Sequence, residues 1–275
     1  MKRTESLPFS QNDRRWADEP MWDRTKVIAT HMCGNGASKK KAEKLLHAYK
    51  DDNGQPIGNT VGTEGCMLTS LAMVLHLLDK EQNRPAWTPK LLNDEAHARH
   101  FYTPAGLSMV PLYADLVSEV TQGEVQLCAK EDYFPGERGW RRNYASTSLL
   151  VRAYRQLPKE DKSHFAVMLK TGTHDDSFAS HYLLLDPSDR GEPGDDNVAV
   201  LDPAMPDGNK LPWHLKDSAG HLCKDPEIEA AWKNANIKPL QIGGVWLFAR
   251  WRDRDDPLLL GPIVELLASE IKSTR

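Results

Sequence analysis

An unbroken apolar segment that begins at a cysteine is the feature that most constrains what this chain can fold into. Two glycines, Gly62 and Gly65, indicate a turn, and no glycine or proline follows Cys66 until Pro85. The segment reads CMLTSLAMVLHLL, and its apolar residues cover most of a helix surface. A helix that is apolar nearly all round is a buried helix. The sequence therefore predicts a buried helix over residues 66–80 whose first residue carries a thiol.

Cys66 stands where a thiol can be made reactive. The unpaired N–H groups and the positive dipole end of a helix stabilise a thiolate, which is the nucleophilic form of cysteine. A thiol in that position needs only a nearby base and an orienting group to perform acyl transfer. The competing interpretation is that Cys66 fills space in the core, as most free cysteines do. Cys33, in HMCGNG, follows no helix start and is the weaker candidate for a reactive thiol.

Four short apolar runs downstream of the helix supply a candidate base. Each is bounded by Gly, Pro or Asp, as is typical of core strands, and they cover residues 164–170, 181–185, 198–202 and 245–251. We expect His181 to open the second strand and Asp202 to close the third, which places an imidazole beside a carboxylate. These are the base and the orienting group of a Cys-His-Asp triad. The competing interpretation is a strand-edge histidine and an ordinary turn aspartate before Pro203.

Other polar groups have less favourable placements. Asp186 ends the strand that His181 is expected to open, so strand rise puts about 16 Å between them, which is too far for an orienting contact. His174, Asp175 and Asp176 could ligate a metal, but they lie where a turn is expected and no second ligand cluster accompanies them. The cysteines at 33, 66, 128 and 223 show no C-x-x-C spacing, which argues against a zinc site and indicates no dense disulfide framework.

Five segments, taken in order, carry a resemblance to one family. They are SQNDRRWAD (10–18), IGNTVGTEGCMLTSLAMVL (57–75), TPKLLN (88–93), SHYLLLD (180–186) and VAVLDPA (198–204). The chain resembles the papain-like bacterial cysteine peptidases related to the bacteriocin leader peptidases that cleave after double glycine. The segment around Cys66 is the most specific of the five matches. The resemblance implies an α+β, papain-like cysteine hydrolase in which an N-terminal nucleophile helix packs on an antiparallel β-sheet.

The resemblance also implies roles for four residues. It implies Cys66 as the nucleophile, His181 as the general base and Asp202 as the group that orients the imidazole. Gln11 would be the side-chain donor of an oxyanion hole, with the Cys66 backbone N–H as the second donor. This chemistry needs no cofactor and no metal. The resemblance does not extend to double-glycine specificity, and the expected substrate is an amide in a peptide, a protein or peptidoglycan.

Three functions fit the same residues. The first is hydrolysis, in which the thiolate forms a thioester with the substrate and water resolves it. The second is acyl transfer or glutamine deamidation, because different nucleophiles can resolve a thioester on the same triad. The third is a catalytically idle papain-like fold that serves as a binding module. Loss of one triad member would mark the third function, and the sequence contains all three members, which favours the hydrolase.

The length of 275 residues suits one substantial core, and we expect a single papain-like peptidase domain over 1–275. Two insertions are expected, at about 22–60 and 205–240, and an amphipathic helix over 257–272 ends the chain. Residues 1–20 are expected to be extended. Further helices are predicted over residues 37–50, 89–100, 108–121, 146–157 and 225–234. Helices followed by a run of antiparallel strands are typical of an α+β fold.

Composition and charge exclude several classes of partner. The net charge of −4 predicts no attraction to nucleic acid. The two longest apolar runs, near 71–78 and 258–268, are too short to span a bilayer. The N-terminus, MKRTESLPFSQ, has no apolar core, so no Sec signal peptide is expected. These features favour a cytoplasmic enzyme, or an effector exported by a signal-peptide-independent secretion system, which would have an immunity or inhibitor protein as its partner.

Overall fold

The structure is a computed structural model, and it describes residues 7, 9–22, 59–81, 83–99, 101–102, 110–132, 148–173, 176–189, 191–192, 198–203, 213–215, 240–250, 261 and 265. Within them the chain is a mixed α+β fold, as predicted. The strands are β1 (Pro20–Trp22), β2 (Asn59–Thr60), β3 (Val125–Asp132), β4 (Phe165–Thr173), β5 (Asp176–Leu185), β6 (Val198–Leu201), β7 (Trp213–Leu215) and β8 (Leu240–Arg250). The helices are α1 (Val61–Glu64), α2 (Cys66–Leu78), α3 (Pro89–Ala98), α4 (Val110–Val120), α5 (Leu149–Gln156) and α6 (Lys159–Lys162).

Strands β3 to β8 form one antiparallel sheet in the order β3-β8-β4-β5-β6-β7. Strand β5, which carries His181, therefore has β6 as its neighbour. Leu184 of β5 pairs with Leu201, the last residue of β6, and Asp202 follows directly. The order of the sheet thus brings Asp202 alongside β5, where the strand runs had predicted it.

Both faces of the sheet are buried, which accounts for the continuous apolar runs in its strands. Tyr182 and Leu184 of β5 belong to a core cluster shared with α2, α3 and α4. Leu183 and Leu185 belong to a second cluster that includes residues of α5. Strands covered on both faces read as near-continuous hydrophobic segments. The sheet is therefore the middle layer, with α2 on one side and α5 on the other.

Helix α2 is buried along its length, as its composition predicts. Every residue from Met67 to Leu75 is buried, and so is Leu78. The helix ends at Leu78, two residues before the predicted end. Asp79 has an extended backbone, and its buried carboxylate accepts a hydrogen bond from the Trp87 indole at 2.6 Å. This hydrogen bond stabilises the extended backbone of Asp79, so the helix does not continue past Leu78.

The helices predicted over 89–100, 108–121 and 146–157 are confirmed as α3, α4 and α5, each slightly shorter than expected. α3 and α5 begin after hydroxyl N-caps, because Thr88 accepts the Leu91 N–H at 3.2 Å and Ser148 accepts the Val151 N–H at 3.1 Å. The predicted helices over 37–50 and 225–234 lie outside the described residues, and of 257–272 only Gly261 and Glu265 are described, both helical. None of the helices in the described ranges has the length and hydropathy that a bilayer crossing requires.

His181 does not open its strand, because β5 already starts at Asp176. The prediction placed the start at the first continuous apolar run, whereas main-chain pairing with β4 extends the strand through the mixed polar and apolar residues before it. Thr171 of β4, for example, pairs with His181 itself. For the same reason β8 starts at Leu240, well before the predicted start at 245. Strand β3 was not predicted, since it is an edge strand whose polar residues interrupt any apolar run.

The segment before β1 folds into consecutive turns, so the prediction of an extended chain is wrong for its described part. The Asp13 N–H donates to the Ser10 carbonyl at 3.2 Å, and the Trp16 N–H donates to the Asp13 carbonyl at 2.9 Å. The buried Trp16 indole also donates to the Ser10 carbonyl, at 2.7 Å. Burial of the Trp16 ring requires the chain to reverse its direction, and Gln11 lies in one of the resulting turns.

The two ends of the predicted insertion at 22–60 lie side by side. Strands β1 and β2 pair antiparallel, with Pro20 opposite Thr60. Next to this pair the Val61 N–H donates to the Glu19 carbonyl at 3.0 Å. Residues 23–58 lie outside the described residues, as does the insertion at 205–240 apart from β7 and Leu240.

Candidate active site

A glycine is required at the junction before Cys66. The Gly65 N–H closes the last turn of α1 by donating to the Val61 carbonyl at 2.8 Å. A Cβ on Gly65 would lie 2.2 Å from the Val61 carbonyl oxygen, far inside van der Waals contact. The absence of that Cβ lets α2 start directly at Cys66, whose thiol is free and partly exposed.

A hydrogen bond ties the helix that carries the thiol to the strand that carries the imidazole. Ser70, one turn after Cys66 on α2, donates through its buried hydroxyl to the Tyr182 carbonyl at 3.1 Å. Tyr182 is the neighbour of His181 in β5. The attachment therefore lies one turn from the thiol and one residue from the imidazole, and it sets the position of one relative to the other.

The His181 imidazole bonds to the Asp202 carboxylate. Nε2 of His181 and Oδ1 of Asp202 are 2.6 Å apart, and Asp202 is only 2% exposed. The Cys66 side chain lies close enough to the imidazole to raise its pKa. The structure thus brings three residues from separate segments together in the order Cys66, His181, Asp202.

The surroundings of His181 favour the protonated form of its ring. Burial lowers its pKa, but the charge and the hydrogen bond of Asp202 raise it by more, and the contact with Cys66 adds to the rise. Together these effects raise the pKa of His181 from 6.5 to about 10.

Gln11 connects α1, the short helix before Cys66, to the segment that follows β6. Its backbone N–H donates to the Pro203 carbonyl at 2.7 Å, and its side-chain Nε2 donates to the Gly62 carbonyl at 2.9 Å. The amide cannot be turned round, because Oε1 would then face the Gly62 carbonyl oxygen. The bond to Gly62 uses one of the two N–H donors on Nε2. Gln11 is buried, and its Oε1 has no hydrogen-bond partner.

Tyr113 lies near the thiol and is not distinguished by the sequence. It is on α4, it is 2% exposed, and it belongs to the core cluster against which Cys66 packs. Burial raises its pKa far above the usual range, and the proximity of Tyr102, Tyr182 and Cys66 raises it further. Its hydroxyl is buried and has no hydrogen-bond partner. In the helix VPLYADLVSEV nothing in the pattern separates this tyrosine from an ordinary core residue.

The weaker candidates have other contacts or lie outside the described residues. The Asp186 carboxylate accepts the Ser188 N–H at 2.7 Å and so stabilises the turn after β5. Cys128 lies on the edge strand β3, and its thiol donates to the Gln126 carbonyl at 3.6 Å. Outside the described residues are Cys33, Cys223, His174 and Asp175. In the part of the chain that the structure describes, no group of three or more His, Cys, Asp or Glu side chains could hold a metal ion.

Comparisons of the chain with models of protein families, with curated proteins and with solved structures give no match. The resemblance to the papain-like peptidases therefore stays a prediction, and it rests on the five sequence segments that carry it.

Proposed function

We propose that this chain is a papain-like cysteine hydrolase that cleaves an amide bond in a peptide, a protein or peptidoglycan. The observation that carries the proposal is the series Cys66–His181–Asp202, in which the imidazole contacts the thiol on one side and a buried carboxylate, at 2.6 Å, on the other. A nucleophile, a base and an orienting group in this order support acyl transfer, whichever fold carries them. The packing of α2 on an antiparallel sheet that holds the base supports the papain-like part of the proposal.

In the first half of the reaction the Cys66 thiolate attacks the carbonyl carbon of the amide. Negative charge develops on the carbonyl oxygen, and the second N–H of Gln11 Nε2 and the backbone N–H of Cys66 donate to it. The His181 imidazolium gives its proton to the amine nitrogen as the C–N bond breaks. The products of this half are a thioester on Cys66 and a free amine.

In the second half the neutral His181 removes a proton from water as the water oxygen attacks the thioester. The C–S bond breaks, the carboxylic acid leaves, and the thiolate–imidazolium pair is restored. Asp202 holds Nε2 throughout, so Nδ1 keeps facing the thiol in both halves. The cycle consumes one water and needs no other reactant.

Mass spectrometry of the products tests the proposal. Purified peptidoglycan fragments and a peptide library are incubated with the wild type, with Cys66→Ala and with Cys128→Ala. We expect products that have gained one water from the wild type and none from Cys66→Ala. Cys128→Ala is the matched control, because two strands, β8 and β4, separate its strand from the one that carries His181, and it should cleave at the wild-type rate.

Circular dichroism and thermal unfolding establish that the Cys66→Ala protein is folded. Hydrolysis by that folded protein would refute the proposal. Products joined to an added amine, in place of products that have gained water, would identify an acyltransferase instead.

A further inference from the structure

A hydroxyl that the packing does not use lies close to the proposed nucleophile. Tyr113 is 2% exposed, its ring belongs to the core cluster that Cys66 contacts, and its helix α4 packs on α2. Its hydroxyl has no hydrogen-bond partner. Burial, and then the proximity of Tyr102, Tyr182 and Cys66, raises the pKa of Tyr113, so the hydroxyl is neutral and keeps a proton to donate.

Core packing alone does not account for this hydroxyl. A buried polar group without a partner destabilises the folded state, because it has given up its hydrogen bonds to water. The nearby Tyr102 shows the usual solution, since its hydroxyl donates to Asn93 Oδ1. A phenylalanine in place of Tyr113 would preserve the contacts of the ring without the unsatisfied group. The hydroxyl is better explained by a partner that arrives with a ligand.

We propose that the Tyr113 hydroxyl donates a hydrogen bond to a neutral carbonyl oxygen of the substrate bound beside Cys66. This inference rests on the function proposed above, and it adds Tyr113 to the site as a substrate-binding residue.

The surroundings of Tyr113 select an uncharged group. The buried members of its cluster are apolar side chains, among them Met67, Leu116 and Val117. A carboxylate or an ammonium group would have to lose its water there without an opposite charge, which costs far more free energy than burying a neutral group. An amide carbonyl needs only one donor, and a tyrosine hydroxyl supplies one. We therefore expect the substrate to present a main-chain or side-chain amide at this position.

Steady-state kinetics of Tyr113→Phe test the inference, with the library peptide that the wild type cleaves fastest as the probe. We expect KM to rise roughly tenfold while kcat changes by less than about twofold, because a hydrogen bond made equally in the ground and transition states is lost. The variant should be at least as stable as the wild type, since it loses an unpartnered hydroxyl. Iodoacetamide should alkylate Cys66 at the wild-type rate, since the hydroxyl acts on the substrate.

Tyr154→Phe is the matched control. It removes the same atom from a buried tyrosine that belongs to the core cluster on the opposite face of the sheet, so KM and kcat should not change. A wild-type KM in Tyr113→Phe, or a fall in kcat or in Cys66 alkylation instead of a rise in KM, would overturn the inference and leave the proposed hydrolase intact. Absence of any turnover that depends on Cys66 would overturn the hydrolase, and the inference with it.

Discussion

The substitution Asp202→Asn measures how much the Asp202 carboxylate contributes to the pKa of His181. It keeps the size of the side chain and removes a negative charge that lies 2.6 Å from Nε2. Burial lowers the pKa of His181, and Asp202 is the main opposing influence, which together with Cys66 raises that pKa from 6.5 to about 10. A rise of that size corresponds to a free energy on the order of 5 kcal/mol in favour of the imidazolium.

We expect the pKa of His181 to fall from about 10 in Asp202→Asn, because a contacting carboxylate and its hydrogen bond both favour the charged ring. An NMR titration of the histidine ring signals, from mildly acidic pH to alkaline pH, measures the value directly. The His181 signal is identified by its absence from His181→Gln. Cys66→Ala, titrated in parallel, gives the smaller contribution of the thiol.

The same group makes the stability of the wild type depend on pH. The folded-state pKa of His181 lies above its unfolded value, so its contribution to the free energy of unfolding is fully present below about pH 6.5 and is lost as the pH rises through about 10. Urea unfolding should therefore show a larger difference between wild type and Asp202→Asn at about pH 6 than above about pH 10. A His181 pKa in the variant that lies within about half a unit of the wild-type value would refute the orienting role of Asp202.

Three other substitutions test separate parts of the structure. Gln11→Ala should lower kcat by roughly 10²- to 10³-fold on the same peptide, which is the usual effect of losing one oxyanion donor; a wild-type kcat would remove Gln11 from the oxyanion hole. Gly65→Ala should lower the thermal unfolding temperature and slow iodoacetamide labelling of Cys66, because its Cβ would lie 2.2 Å from the Val61 carbonyl oxygen; normal values of both would contradict the steric argument. Asp189→Ala should lower the free energy of unfolding in urea by roughly 3–5 kcal/mol, because it removes the carboxylate that lies 2.8 Å from the buried Arg155 guanidinium. A loss below about 1 kcal/mol would show that this ion pair does not stabilise the fold.

Those parts of the fold that depend on apolar patterning are visible in the sequence. Helix α2 is buried nearly all round, and strands β4, β5 and β6 are buried on both faces, so each leaves a continuous apolar run. The start of β5 at Asp176 is not visible, because main-chain hydrogen bonds to β4 extend the strand through polar residues. Such pairing leaves no periodic signal in the side chains.

The sequence likewise predicts the positions of some residues of the candidate site and not of others. His181 and Asp202 can be placed together from the sequence, because both flank runs that are expected to be neighbouring strands. The contacts of Gln11 cannot, because they depend on the turns that the burial of Trp16 imposes on the chain. Tyr113 cannot be singled out from the sequence either, because a helical pattern does not show whether a buried hydroxyl has a hydrogen-bond partner. That property depends on the packed structure.

Strands β1 and β2 lie at the two ends of residues 23–58 and pair with each other, with Pro20 opposite Thr60. Because each doubling of the length between two paired ends changes the closure free energy by only about 0.6 kcal/mol, we expect that replacing residues 23–58 by a segment of another length changes the free energy of unfolding little. Gln11 and Cys66 both lie outside residues 23–58 and would keep their positions. The paired strands are therefore a position, close in sequence to Cys66, at which a new recognition segment could be inserted without moving Cys66, His181 or Asp202.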